Sequence, residues 1–271
     1  MSFLPAATIT IGIDPTIDLG PITLAWHGIT IALGIVVAAL LARIAYPRER
    51  GVDPDTLVNV AMVMAASGIV GARLFYLLET EPGALFDPGE LIGTRGFAFN
   101  GALVLSPIGA GAYLWRKGLS LIYMDALALG FPLGMAVGRI GDVINGEHYG
   151  SPTEAPWGVR NTHPDADVPS ATVAYHSGGL YEVVLALAVF ALVWPLRGRF
   201  RQPLTALWTV VATYASGRFV MFFFRSDSED LSLGLNTSQW ASLALVALAA
   251  VGALASTRWS RTRSDPLASD G

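Results

Sequence analysis

The sequence predicts an all-α polytopic membrane protein with seven transmembrane helices, and three observations carry that reading. Apolar residues fill 53% of the 271 positions and charged ones only 14%, about half the charged share of an ordinary soluble domain. The apolar residues come in blocks close to twenty residues long, the length a helix needs to cross about 30 Å of hydrocarbon. Arginine and lysine gather after alternate blocks, as they do when those ends share one side of a membrane.

Unsatisfied backbone cannot face lipid, so each block is expected to be a helix. The blocks are 22–43, 57–79, 99–115, 120–139, 176–195, 204–225 and 236–256. Trp26 and Trp240 sit where interface anchors belong, at the start of the first and last. The third block is the weakest, short and with Pro107 inside it. The fourth carries Gly130, Gly134 and Gly138 at intervals of four, a smooth face that lets another helix approach closely. Arg43, Arg48 and Arg50 follow the first block, Arg116 and Lys117 the third, Arg197, Arg199 and Arg201 the fifth, and Arg258, Arg261 and Arg263 the seventh. With seven spans all of these share one face, which the positive-inside rule makes cytoplasmic, so the N-terminus is expected outside and the C-terminus inside.

Two outer loops are long. The one over 80–97 is rich in glycine, and the one over 141–175 contains Pro152, Pro156, Pro164 and Pro169. Those prolines argue against long helices, and the second loop is expected to form a small ordered extracytoplasmic head. The chain thus reads as a single membrane domain over 1–256 and a charged, disordered cytoplasmic tail over 257–271. No cleavable signal peptide is expected, because the first 20 residues lack a basic start followed by an apolar core.

Several chemistries have no support. Without cysteine there is no disulfide, no thiolate metal site and no cysteine nucleophile in this chain. His27, His148, His163 and His176 lack ligand spacing, so no metal and no cofactor is expected. Ser177 lacks the strand context of a serine elbow. A phosphate loop and a nucleic-acid surface are absent too.

The informative residues are the six arginines outside the cytoplasmic set: Arg73, Arg95, Arg139, Arg160, Arg218 and Arg225. A charge in or near lipid is costly, so most need an acidic partner or an anionic ligand. Arg139 is the second residue of "GRIGDVINGEHYG", which holds Asp142, Asn145, Glu147 and His148 within the nine residues after it. Arg218 and Arg225 lie seven apart in "GRFVMFFFR", on nearly one helix face. "GARLFYLLE" adds Arg73, and "YHSGGLYE" adds Tyr181 and Glu182. Guanidinium groups converging over apolar walls suit a phospholipid, with forks for the phosphate and greasy surfaces for its chains. The plainer alternative is that the same arginines pair with Asp142, Glu147, Glu182 and Glu79 to hold helices together.

The ordered motifs "GPITLAWHG", "GARLFYLLE", "GFAFNGAL", "GRIGDVINGEHYG", "YHSGGLYE", "GRFVMFFFR" and "NTSQW" resemble the bacterial prolipoprotein diacylglyceryl transferases over about residues 17–256. The block 138–150 matches the family signature Gly-Arg-x-Gly-Asn-x-x-Asn-Gly-Glu-x-x-Gly at all but one fixed position. The resemblance implies a multi-pass enzyme of the bacterial inner membrane with its site in the outer leaflet half. It would move diacylglyceryl from phosphatidylglycerol to the lipobox cysteine thiol of a preprolipoprotein, with release of glycerol-1-phosphate. It implies that Arg139 and Arg218 handle the lipid phosphate, that Asn145, Glu147 and Gly150 shape the head-group site, and that Gln239 opens the last span. Arg73, Asn100, Asp142, His148, Tyr181, Glu182 and Arg225 complete the expected substrate-binding set.

Four positions depart from the family pattern. Asn100 stands where the family has the histidine often proposed as general base, and an amide cannot take a thiol proton at neutral pH. Asp142 replaces the signature asparagine, His27 a tyrosine, and Phe222 an acidic residue. Two accounts survive. In one, the base has moved to His27, with His148 as second choice and Asp142 polarising the ring or pairing Arg139. In the other, the scaffold has kept phospholipid binding and lost or changed the thiol chemistry, becoming a noncatalytic lipid-binding protein or an enzyme for another phospholipid or acceptor.

Overall fold

The computed structural model describes residues 8–20, 22–46, 50–92, 96, 98–225 and 230–263, with backbone alone at residues 22, 99, 100, 230 and 258–263. Arg48, Arg95 and residues 264–271 therefore lie outside the described residues, as does the side chain of Asn100.

Each expected span contains a helix. These are α1 (Trp26–Ala45), α2 (Pro54–Thr80), α4 (Phe99–Arg116), α5 (Ile122–Asn145), α6 (Gly178–Val193), α7 (Thr205–Met221) and α8 (Thr237–Arg263), with a one-turn helix α3 (Pro88–Leu91) in the loop after α2. Five stretches are long and apolar enough to cross a membrane: Trp26–Ala45, Pro54–Thr80, Ile122–Asn145, Gly178–Arg199 and Thr237–Thr257. Outside those stretches, α4 has 18 residues and α7 has 17, while α6, itself 16 residues, is lengthened by the 3-10 turns that run on to Arg199. The outward faces suit lipid: Leu33, Leu40, Ile44, Ile69 and Leu254 are each more than half exposed.

Boundaries moved where local chemistry outweighs hydropathy. Asp53 caps α2, its carboxylate accepting from Thr56 N at 2.8 Å with Pro54 in the first helical position. The fourth block ends at Arg139 by hydropathy. Instead α5 continues to Asn145 and turns at Gly146, whose φ of 81° is the left-handed conformation a helix end favours. Asp142 and Asn145 therefore belong to the last helical turn. The backbone of α8 runs to Arg263, into the stretch expected as tail.

The all-α expectation needs amending at the outer end. The strands β1 (Ile9–Ile11), β4 (Tyr149–Pro152), β5 (Val159–Asn161) and β6 (Tyr175–Ser177) form one sheet in the order β1-β5-β6-β4. Its β1–β5 pair is parallel, so a strand preceding the first helix completes the head, a role sequence reading gave to 141–175 alone. Two hairpins, β2 (Thr16–Leu19) with β3 (Ile22–Ala25) and β7 (Asp230–Ser232) with β8 (Leu235–Asn236), precede α1 and α8.

Glycine sets the packing. A Cβ on Gly34 would meet the Gly134 carbonyl, and one on Gly130 the Ala38 carbonyl, so α1 and α5 cross almost backbone to backbone. Gly71 and Gly101 do the same for α2 and α4. The α2–α4 pair packs extensively on itself and only slightly on α1 and α5. One link is a cluster uniting Leu57, Val60, Ala110 and Leu114 with Ala42, Tyr46 and Tyr123.

Candidate active site

The site forms where the α1–α5 crossing reaches the head. Thr30 Oγ1 donates to the Gly138 carbonyl at 2.8 Å, pinning the first turns of α1 to the last turns of α5. A Cβ on Gly141 would lie 2.6 Å from the Cα of His27, so a glycine is required there for the histidine to draw level with Asp142. His27 Nδ1 then lies 2.6 Å from Asp142 Oδ1 and 3.2 Å from Glu147 Oε2.

Asp142 is shared, since its Oδ2 accepts from Arg139 Nη1. Arg139 in turn pairs through Nε with Glu182 Oε2. Glu182 Oε1 receives Arg218 Nη1 at 2.7 Å and faces Arg225 Nη1 at 3.3 Å. One buried carboxylate on α6 thus joins guanidinium groups from α5, α7 and the residues just after α7. Gly178 and Gly179 make this possible: side chains there would press on the His148 carbonyl and on Asp142 Cβ and Val143, holding α6 away.

Phe222, which stands where the family pattern has an acidic residue, lies under two arginines, with the Arg218 and Arg225 guanidinium carbons 5.1 and 4.5 Å from its ring centroid. The arginine's local partner is replaced by Glu182 from another helix.

The turn after α5 sets the rest. Asn145 Nδ2 donates to Glu147 Oε1 at 2.8 Å. The hydrogen bond from His27 is the largest influence holding the Glu147 carboxyl below its ordinary range, with burial opposing and Asn145 assisting. His148 has a φ of 58°, and its Nε2 is 3.9 Å from Asp142 Oδ2. Asn161 on β5, which sequence reading did not single out, donates through Nδ2 to the carbonyls of Val143 and Ile144, both at 2.9 Å. It thereby ties the end of α5 to the head. Its only sequence signal is a short strand motif, too common to mark it. Gly150 packs where a Cβ would meet the Phe224 carbonyl at 2.7 Å.

Other expected site residues have different surroundings. Arg73 donates to the Glu90 and Gly96 carbonyls and clasps the loop after α2. Tyr181 OH accepts from Trp157 Nε1 at 3.1 Å and bonds His176. Gln239 exchanges hydrogen bonds with Asn236 in a cap at the start of α8. His27, Asp142 and Glu147 also offer three mutually close donor atoms, although the separate histidines gave no metal-ligand spacing. The 2.6 Å contact is the length of a strong charge-assisted hydrogen bond.

The arrangement can bind an anion. Three guanidinium groups bring more N–H donors than Glu182 and Asp142 can accept, because each carries five. Arg139 and Arg218 remain partly exposed, at 16% and 21% of their side chains, whereas Glu182 and Asp142 are each 1% exposed.

Fold and site together define a polytopic membrane protein whose helices gather arginines around buried carboxylates beside a small β-sheet head. The chain belongs to the prolipoprotein diacylglyceryl transferase family, whose model matches residues 15–255, and it is accordingly a transferase. It is similar to the phosphatidylglycerol–prolipoprotein diacylglyceryl transferases of Corynebacterium diphtheriae, at 31% identity over 90% of this chain and 92% of that protein, and of Gloeobacter violaceus, at 33% over 87% and 90%. A relative from Frankia alni is 34% identical over 88% of this chain, which spans 64% of that longer protein.

Proposed function

We propose that this protein transfers diacylglyceryl from phosphatidylglycerol to the lipobox cysteine of a preprolipoprotein, releasing glycerol-1-phosphate. The observation that carries this reading is the meeting of Arg139, Arg218 and Arg225 on Glu182. Guanidinium groups held on separate helices form a preorganised cradle for a phosphodiester. The cradle strengthens its hold as the leaving phosphate gains charge. Asn145, Glu147, His148 and Gly150 border the cradle and are assigned to the glycerol head group. Arg73 beside the loop after α2, Tyr181 beside the head and Gln239 at the start of α8 are assigned to substrate binding. Asn100, at the start of α4, keeps its assignment to the substrate set.

The chain is assigned seven spans, with α4 and α7 short and the N-terminus outside. This places the arginine-rich ends on the cytoplasmic face and the cradle in the outer leaflet half of a bacterial inner membrane. Residues 1–256 form the membrane domain with its head, and 257–271 the cytoplasmic tail.

The test uses purified protein in lipid nanodiscs with labelled phosphatidylglycerol and a lipobox peptide. Label should pass to the peptide with glycerol phosphate release. Bound phospholipid without any release would favour the noncatalytic alternative.

A further inference from the structure

We infer that His27 activates the acceptor thiol through its Nε2 atom, with Asp142 and Glu147 as the positioning residues that hold Nδ1. The inference rests on the reaction proposed above and supplies the proton acceptor for it.

Three observations carry it. First, both carboxylates reach the same ring nitrogen, Asp142 Oδ1 at 2.6 Å and Glu147 Oε2 at 3.2 Å. An acceptor on each side holds an N–H at Nδ1 and turns Nε2 away from both carboxylates, the orientation a histidine base needs. Among the described residues no hydrogen bond occupies Nε2. Second, the ring is 38% exposed although both of its anchors are more buried, so a substrate group can approach the outer nitrogen while the inner one stays fixed. Third, Asp142 joins His27 to Arg139 through its two oxygens. The base and the phosphate cradle are thereby set at one carboxylate's width from each other.

The step balances. The thiol proton passes to Nε2 as sulfur attacks the glyceryl CH2 next to the phosphate. The S–C bond forms, and the C–O bond breaks with its electron pair going to the phosphate oxygen. A neutral thiol and a phosphodiester monoanion become a neutral thioether, a glycerol phosphate dianion and one imidazolium. The positive charge gained by His27 matches the negative charge gained by the leaving group, and the imidazolium then returns its proton to water or to the departing phosphate.

The test compares two acceptors, the lipobox peptide with cysteine and the same peptide with selenocysteine. A selenol is a stronger acid than a thiol and is ionised at neutral pH without a base. His27→Gln should lower transfer to the thiol by about 10²–10⁴-fold while selenol transfer stays close to wild type and lipid binding is kept. Glu147→Gln should show a smaller loss in kcat confined to the thiol, with any change in KM for lipid the same for both acceptors. Arg218→Ala should fail with both acceptors. Equal losses with both acceptors in His27→Gln, or no loss with the thiol, would overturn the inference. Should His27→Gln not fold, Glu147→Gln decides by the same two-acceptor comparison. Wild-type protein inactive with either acceptor would refute the proposed reaction itself, a separate outcome.

Discussion

Asp125 and Glu182 are equally buried, at 0% and 1% exposure, and each lies in the first turns of a helix, yet they are satisfied in opposite ways. Asp125 accepts from backbone amides, Leu204 N at 2.6 Å and Leu207 N at 2.8 Å. It caps α7 from a neighbouring helix, where Leu204, in a left-handed conformation with φ of 68°, provides no cap of its own. Glu182 accepts from side chains on movable stems. A carboxylate whose partners are backbone amides has its charge consumed by the fold, because the amides cannot turn elsewhere. A carboxylate ringed by guanidinium groups holds them in place and leaves donors for a ligand. Burial alone, then, does not mark a functional acid; the kind of partner does.

That contrast can be broken experimentally, beginning at the arginines. Arg218→Ala should reduce kcat for transfer by about 10²–10³-fold, the loss expected when one preorganised charge stabiliser is removed. Its melting in detergent should change little, because Glu182 keeps Arg139 and Arg225. Asp125→Ala should do the reverse. Loss of the cap should lower unfolding stability by about 0.5–2 kcal/mol, measured by chemical denaturation, with transfer per folded molecule unchanged. A fall in kcat for that variant would erase the distinction between the two acids.

Two smaller effects sharpen it. Asn161→Ala removes the donor shared by two carbonyls at the end of α5, and should cost about 1 kcal/mol together with a modest fall in kcat, since Asp142 and Glu147 lean on that turn. Glu147 gives the smallest and most conditional effect. Its folded carboxyl is held below the ordinary value near 4.5, so its contribution to stability is present above that value and disappears as pH falls through the lower, folded one. Glu147→Gln should flatten this acid limb in a melting-temperature profile and leave the neutral region alone.

Much of the fold was legible because hydropathy and length act locally. Every expected block contains a helix, and the glycines of α5 lie at the close crossing. The pairing of arginines with Glu182 was within reach, since stray charges in apolar segments must find one another. Other features depended on contacts distant in the chain. Asp125 is a lone acid in an apolar run, and nothing nearby says that its partners are amides some 80 residues later. Arg73 and Glu182 looked alike in sequence, each a lone charge in an apolar stretch, but loop carbonyls took the first and guanidinium groups surround the second. Phe222 removes an acid from the helix of Arg218, and only the fold shows that the acid comes from another helix, as Glu182.

The parallel pairing of β1 with β5 sets an order of events. Ile9 meets Val159, so the head sheet joins a strand made first to one made about 150 residues later, and such distant closures are slow. The helices of the first half must therefore settle while β1 waits without its neighbour, and the α5 terminus acquires its Asn161 tie only as β5 arrives. The cradle comes later still, because Glu182 and Arg218 lie on α6 and α7, beyond β5 in the chain.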